Sequence, residues 1–253
     1  MSAYQVALKE LVTKTGMSQD SWSSEDWKRV AELATEQDLT EAYEKTGLVA
    51  KRLARLGVLW PSKAKTLERV HQKITTHDGN YFKSVSDFIG FRVNCELEHI
   101  AVKLTLLRSL EDCVCYVRQP QFVDEKGKYR DITQYVYLYF TDVGNALQSS
   151  IGHVIELQIG HPFAAYTFMT DSLIRDRLTR IEKAKEQGII LDCKPAPVDL
   201  WRNNFYSNVK NYILGQANGE NSLAKEEILE QAEVLFGSNP IPDELMTILN
   251  DLI

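Results

Sequence analysis

No stretch of this 253-residue chain comes near the ~18 consecutive apolar residues that a membrane-spanning helix needs. Its first residues, MSAYQVALKELV, lack the basic stretch and apolar block of a secretory leader. Glycine (13) and proline (7) are no more abundant than in ordinary globular chains, so collagen-like, fibrous and disordered classes are excluded. There are four cysteines, Cys95, Cys113, Cys115 and Cys193. C-x-C with no second pair is poor zinc spacing, so these read as reduced, buried thiols of a cytosolic protein. The five histidines form no H-E-x-x-H motif. Positive charge is in deficit, with 29 Lys and Arg against 35 Asp and Glu, a net −6. That balance argues against a general nucleic-acid binder. What is present is a chain with 44% hydrophobic and 25% charged residues, long enough to bury a core without disulfide or metal staples.

The deficit is uneven. Lys51, Arg52, Arg55, Lys63, Lys65, Arg69 and Lys73 fall between positions 51 and 74, with Glu68 as the lone acid. That segment carries +6, which leaves −12 for the remainder of the chain. A charge run is ordinarily a solvated helix face, so its meaning depends on its surroundings.

The first third reads as helical. Ser23 and Asp26 predict an N-cap before WKRVAELATEQ, and a second helix is expected over 40–56. Pro61 breaks the pattern, a short helix is expected over 65–74, and Asp78-Gly79 marks a turn. The middle reads as sheet with helical crossovers. Strands are predicted over 85–95, 113–118, 131–140 and 153–159, and an amphipathic helix over 97–111 from Leu97, Ile100, Ala101, Leu104, Leu107 and Leu110. In the third strand Ile132, Val136, Leu138 and Phe140 share one face, and Tyr135, Tyr137 and Tyr139 the other. Helices are expected over 163–187, 200–214, 223–235 and 242–252. The fold class is therefore α+β: a mixed-sheet core with helices on both sides. The expected divisions are an N-terminal helical extension (1–50), an α/β core (51–168) and a C-terminal helical region (169–253).

Two acids stand out. In H-V-I-E-L-Q-I, Ile155, Leu157 and Ile159 suit a buried face, so Glu156 and Gln158 project together from the other. An acid in a short apolar strand is costly unless exposed, paired or holding a metal. Asp87 heads the apolar run F-I-G-F-R-V, where a strand leaves the core and a carboxylate could hold Mg²⁺ through oxygen. Gly90 within that strand implies close backbone approach or a bulge, and Arg92 is a candidate ion-pair partner.

Taken in order, a basic helix, D-F-I-G-F-R, a G-K-Y-R-D loop and E-L-Q-I resemble the RelA/SpoT-type (p)ppGpp synthetase family, over about residues 50–165. That family's R-x-K-x-x-x-S-x-x-x-K phosphate-binding helix is matched by Lys63, Lys65, Arg69 and Lys73. Its metal-binding aspartate is matched by Asp87, its base-stacking tyrosine by Tyr129 in Gly127-Lys128-Tyr129-Arg130-Asp131, and its catalytic glutamate by Glu156. The chain departs from the pattern at Lys63, which replaces an arginine able to bind phosphate bidentately. It departs also at Asp131 and Thr133, where the family has S-x-H, and at Gly160, where it has Arg.

The resemblance implies a nucleotidyltransferase-like fold and a Mg²⁺-dependent transfer of pyrophosphate from ATP to a nucleotide 3′-hydroxyl. Asp87 and Glu156 would be catalytic and metal-holding, and Lys63, Lys65, Arg69 and Lys73 would bind the donor phosphates. Tyr129, Arg130 and Gln158 would bind the acceptor. Donor and metal positions are better kept than the acceptor side, so GDP or GTP, an adenine nucleotide and the tRNA 3′ end all stay open as acceptors. An inactive binding module on the same fold is the reading from another class. No H…HD metal pattern is present, so a stand-alone, toxin-like synthetase without hydrolase activity is expected. It would be cytoplasmic or delivered into a target cell, with helical termini available to a partner or antitoxin.

Overall fold

The computed structural model describes residues 1–61, 65–76, 80–141, 151–164, 205–220, 225–236, 246–247 and 250. These fall into two compact units, Met1–Gln121 with Thr133–Gly160, and Phe122–Ile132 with His161–Ile253. No helix among the described residues is long and apolar enough to cross a membrane.

The first unit holds α1 (Ala3–Thr15), α2 (Glu25–Glu32), α3 (Glu36–Glu44), α4 (Thr46–Arg52), β1 (Leu59–Pro61), α5 (Leu67–Thr76), α6 (Phe82–Val85), β2 (Ile89–Asn94), α7 (Leu97–Arg108), β3 (Cys113–Val117), β4 (Thr133–Phe140) and β5 (Ile155–Gly160). The five strands form one mixed sheet in the order β1-β2-β5-β4-β3. β2 and β5 pair in parallel, and the other neighbours are antiparallel. The fold is thus α+β with flanking helices. One face of the sheet is mainly apolar, with Gln134 a buried polar residue upon it. Ile89, Phe91, Val93, Val136, Leu138, Ile155, Leu157 and Ile159 are buried there, and α7 packs on β5 through a stripe that includes Leu97, Ile100, Leu104 and Leu107. Ala101 of the predicted stripe is exposed.

Several expectations are corrected. The helix expected over 40–56 breaks at Lys45, where Thr46 and Gly47 favour the helix poorly. The cap before Trp27 is Ser24, without a side-chain bond; capping boxes form instead at Ser2/Gln5 and Thr35/Asp38. Val85 ends a short helix rather than opening a strand. Lys65 precedes its helix, which begins at Leu67. Cys95, Cys113 and Cys115 are free but only half-buried, and burial pushes Cys113 up to about 12 and Cys115 to about 11, which leaves both as inert thiols. Cys193, Asp78-Gly79 and most of the helices expected over 163–187 and 242–252 lie outside the described residues.

His153 is fully buried beside the stacked rings of Tyr4 (5.7 Å) and Phe88 (6.1 Å), and neither ring nitrogen finds a hydrogen-bond partner. Burial, reinforced by the Lys45 ammonium and opposed by Glu41 and Asp38, lowers it to about 4. The unfolded chain protonates near 6.5 while the folded chain refuses the proton, so stability is full above that pH and falls as pH drops toward 4. The expected loss is about 3 kcal/mol by pH 4. His153→Phe should flatten the pH dependence of denaturant midpoints across that window; an unchanged slope would assign the loss to other groups.

In the second unit, α8 (Tyr206–Asn218) and α9 (Lys225–Phe236) accompany the loop 122–132. Asp124 accepts the N–H groups of Lys126 (2.8 Å) and Lys128 (2.9 Å), closing a turn at Gly127, whose φ is +79°. The Asn218 amide then clamps Tyr129 by its N–H (2.8 Å) and its carbonyl (3.0 Å).

Candidate active site

Asp87 sits in the turn between α6 and β2. The last carbonyls of α6 have no helical N–H to receive, so they attract cations. Lys65 donates there to the carbonyl of Ser84 (3.0 Å) and that of Lys83 (3.3 Å), and also to one oxygen of Asp87. Lys73, from α5, donates to the other Asp87 oxygen (2.9 Å) and to the Lys83 carbonyl (3.2 Å). The Lys65 side chain is 4% exposed and lies 5.5 Å over the Phe88 ring. Burial, then the neighbouring Lys73 charge, push the Lys65 ammonium well below the usual lysine range; burial lowers Lys73 too.

Glu156 lies on the opposite face of the sheet from α7. Its direct neighbours across the strands are Gly90 on β2 and Tyr137 on β4. Gly90 has no side chain to cover it. Gln158, the next residue on that face, donates to Glu156 Oε1 (3.0 Å) and accepts from Arg92 Nη1 (3.2 Å). Arg92 is turned along the strand by its bond to Asn94 (3.0 Å). Tyr137 supplies a second hydrogen bond to Glu156, and its ring is held edge-on by Trp22 (5.4 Å) and Phe82 (4.9 Å). Burial first, and the Glu156 charge second, raise the Tyr137 phenol well above its ordinary range, so it stays a donor.

The two acids share one electrostatic environment. The Glu156 charge favours the protonated forms of Lys65, Lys73 and Lys83, while Arg69 opposes the first two and Arg118 the third. Arg118 itself lies 5.3 Å over the Tyr135 ring, on the Glu156 face. Lys65, Arg69, Lys73, Lys83, Arg92 and Arg118 outnumber Asp87 and Glu156, which makes the site attractive to a polyphosphate. Magnesium is usually held by one or two carboxylates together with substrate phosphates. Asp87 and Glu156 fit that demand. Among the described residues no cluster of three or more acidic, His or Cys side chains could cage an ion. The donor set therefore suits an ion that arrives with phosphates.

Of the residues singled out in sequence, the structure brings together Asp87, Glu156, Lys65, Lys73 and Gln158. Arg69 is exposed and bonds to Gln72. Lys63 lies outside the described residues. Tyr129 and Arg130 belong to the second unit. There Tyr129 is half-buried against Phe122 (5.9 Å), and Arg130 pairs with Asp124 (3.4 Å). Sequence reasoning missed Tyr137 and Lys83, and marks Arg118 only as one of the basic residues near the acceptor loop. Alternation had placed Tyr137 on a face with Tyr135 and Tyr139, but nothing local says that β4 lies beside β5.

No family model matches this chain, and no curated protein matches it. Solved structures do resemble it. The small alarmone synthetase 1 from Bacillus subtilis superposes at a TM-score of 0.42 and 12% identity, over 57% of this chain and 80% of that one. A GTP pyrophosphokinase family protein from Streptococcus pneumoniae does so at 0.40 and 13%, over 86% of this chain and 93% of that one. A protein of Streptococcus mutans UA159 gives 0.40 and 14%, over 86% and 96%. At such identities and scores, every residue assignment rests on the geometry of this chain.

Proposed function

We propose that this chain is a Mg²⁺-dependent pyrophosphokinase that moves the β,γ-pyrophosphoryl group of ATP to the 3′-hydroxyl of a guanosine or adenosine nucleotide. The observation that supports the reading is that Asp87 pairs with Lys65 and Lys73 and that the Glu156 charge acts on the same two ammoniums. Transfer of this kind needs charge neutralisation and alignment more than covalent help. In the free chain Asp87 occupies both lysines. A triphosphate offers them more negative charge, so they turn to it and release the carboxylate. Asp87 and Glu156 would then hold Mg²⁺, which neutralises charge on the donor phosphates. The acceptor oxygen attacks the β-phosphorus; the new P–O3′ bond forms as the α–β bridging bond breaks, AMP leaves, and Glu156 takes the hydroxyl proton. Gln158 holds Glu156 in place. Tyr129 would stack on the acceptor base, worth ~1–3 kcal/mol, with Arg130 beside it.

The reading with tRNA as acceptor gains no support from the loop, where Lys128 is matched by Glu220 (2.6 Å) and Arg130 by Asp124. The deciding experiment incubates the protein with Mg²⁺ and ATP labelled at the γ position, adding GDP, GTP, ADP or tRNA in turn. Label should appear on a nucleotide together with stoichiometric AMP. Label on tRNA alone would select the tRNA acceptor, and no labelled acceptor would leave a binding module.

Tyr137→Phe keeps the ring between Trp22 and Phe82 and removes one donor to Glu156. A hydrogen bond to a charged group is worth ~1.5–3 kcal/mol, so kcat should fall roughly tenfold or more with KM for ATP unchanged. A parallel rise in KM would instead assign Tyr137 to substrate binding.

A further inference from the structure

We propose that Trp60 is the platform on which the purine base of a polyphosphate nucleotide stacks, which deepens the functional reading above by naming where the base lies. Trp60 is in β1, at the edge of the sheet, and is 58% exposed, whereas Trp22 and Trp27 are buried. Among the described residues its ring meets no other aromatic ring and no cation, so no packing partner accounts for so large an apolar surface in water.

The register fixes which way it faces. Trp60 is directly opposite Arg92, and directly opposed residues project to one side of a sheet. The Arg92 side is that of Gln158, to which it is bonded, and hence that of Glu156. Trp60 is therefore on the polar face, separated from Glu156 by two strand spacings and two residues, about 12 Å. Asp87, with Lys65 and Lys73 upon it, lies in the turn that precedes β2, at the end where Ile89 begins the strand. Lys65, Lys73 and Asp87 stand at one end of this line and an aromatic plane at the other, with Glu156 between them. A nucleotide has the same order of parts: phosphates, sugar, flat base.

Two other occupants fit less well. β1 is three residues long and ends in Pro61, which cannot donate to a further strand, so the edge is closed to strand addition. Exposed Val58 adds apolar surface two residues before Trp60, but directly across from the ring stands the cation Arg92, which an anion with an aromatic part would use and the apolar face of a partner helix would bury unpaired. A purine on Trp60 is the occupant that uses both the ring and the charge.

The test measures equilibrium binding to the full chain in the presence of Mg²⁺, using α,β-methylene ATP, which cannot be cleaved at the reacting bond, and inorganic tripolyphosphate, which has no base. Trp60→Ala should weaken the nucleotide analogue roughly 5- to 150-fold and leave tripolyphosphate within about twofold. Trp60→Phe should recover most of the loss, and Trp60→Leu, which keeps apolar bulk without a π face, should not. Equal weakening of both ligands, an unchanged nucleotide affinity, or full recovery by Leu would overturn the proposal. Binding is read without turnover, so the two readings fail separately. A selective loss in Trp60→Ala from a parent that labels no acceptor would uphold the stacking site and sink the transfer reaction.

Discussion

Glu156→Gln is expected to cut pyrophosphoryl transfer by roughly 10²–10⁴-fold while nucleotide binding measured at neutral pH without Mg²⁺ changes by no more than about twofold. Glutamine has the same shape and can still accept from Gln158 and Tyr137, so the local packing of β5 survives. It cannot take a proton. The charge it removes has a second effect. Glu156 favours protonation of Lys65, Lys73 and Lys83, so without it all three give up protons at lower pH. Affinity for α,β-methylene ATP should therefore begin to fall at a lower alkaline pH in the variant than in the parent. Isotope transfer at saturating ATP, together with a pH series of binding, checks both halves. Retained transfer would remove Glu156 from the proton pathway, and an unmoved alkaline limb would show that it does not act on the lysines.

Asp87→Ala should abolish transfer and also destabilise the protein. Removing one member of a buried ion pair costs ~3–5 kcal/mol, because the remaining charge is left without water or partner. Asp87 is 29% exposed and Lys65 4%, so the loss should fall near the lower end. At about 2–4 °C per kcal/mol, a fall in Tm of roughly 6–12 °C is expected. Adding Lys65→Met to Asp87→Ala removes the stranded ammonium and should restore much of the Tm without restoring transfer. An unchanged Tm in the single variant would mean that Asp87 does not anchor the two lysines.

Much of this arrangement is legible in the sequence because it follows from short-range periodicity. The alternation Ile155, Leu157, Ile159 against Glu156, Gln158 needs only a strand, and the apolar stripe of α7 needs only a helix. Asp87 and the lysines were found by spacing and motif. What could not be read was long-range. The pairing of Tyr137 with Glu156, Arg92 with Gln158 and Trp60 with Arg92 depends on strand order and register, which no local pattern encodes. The break at Lys45 escaped notice for another reason. Ala, Leu, Lys and Arg favour a helix over 40–56 and outweigh Thr46 and Gly47 in a local reading, while the contact of the Lys45 ammonium with the Ile151 carbonyl (3.3 Å) is tertiary and lies outside propensity.

The strand bearing Glu156 is the last of the five in sequence and the middle one in space. Remove it, and β1–β2 and β3–β4 are two detached ribbons, each too small to persist in water. Its parallel partner lies 66 residues earlier, as the pair Ile89 and Ile155 shows, so it joins by a distant rather than a neighbouring encounter. A chain emerging from the ribosome thus holds Lys65 and Lys73 long before it owns a sheet on which to set them. When β5 slots in, the scaffold closes and the second carboxylate arrives in the same event. A copy clipped before β5 therefore lacks both the central strand and Glu156.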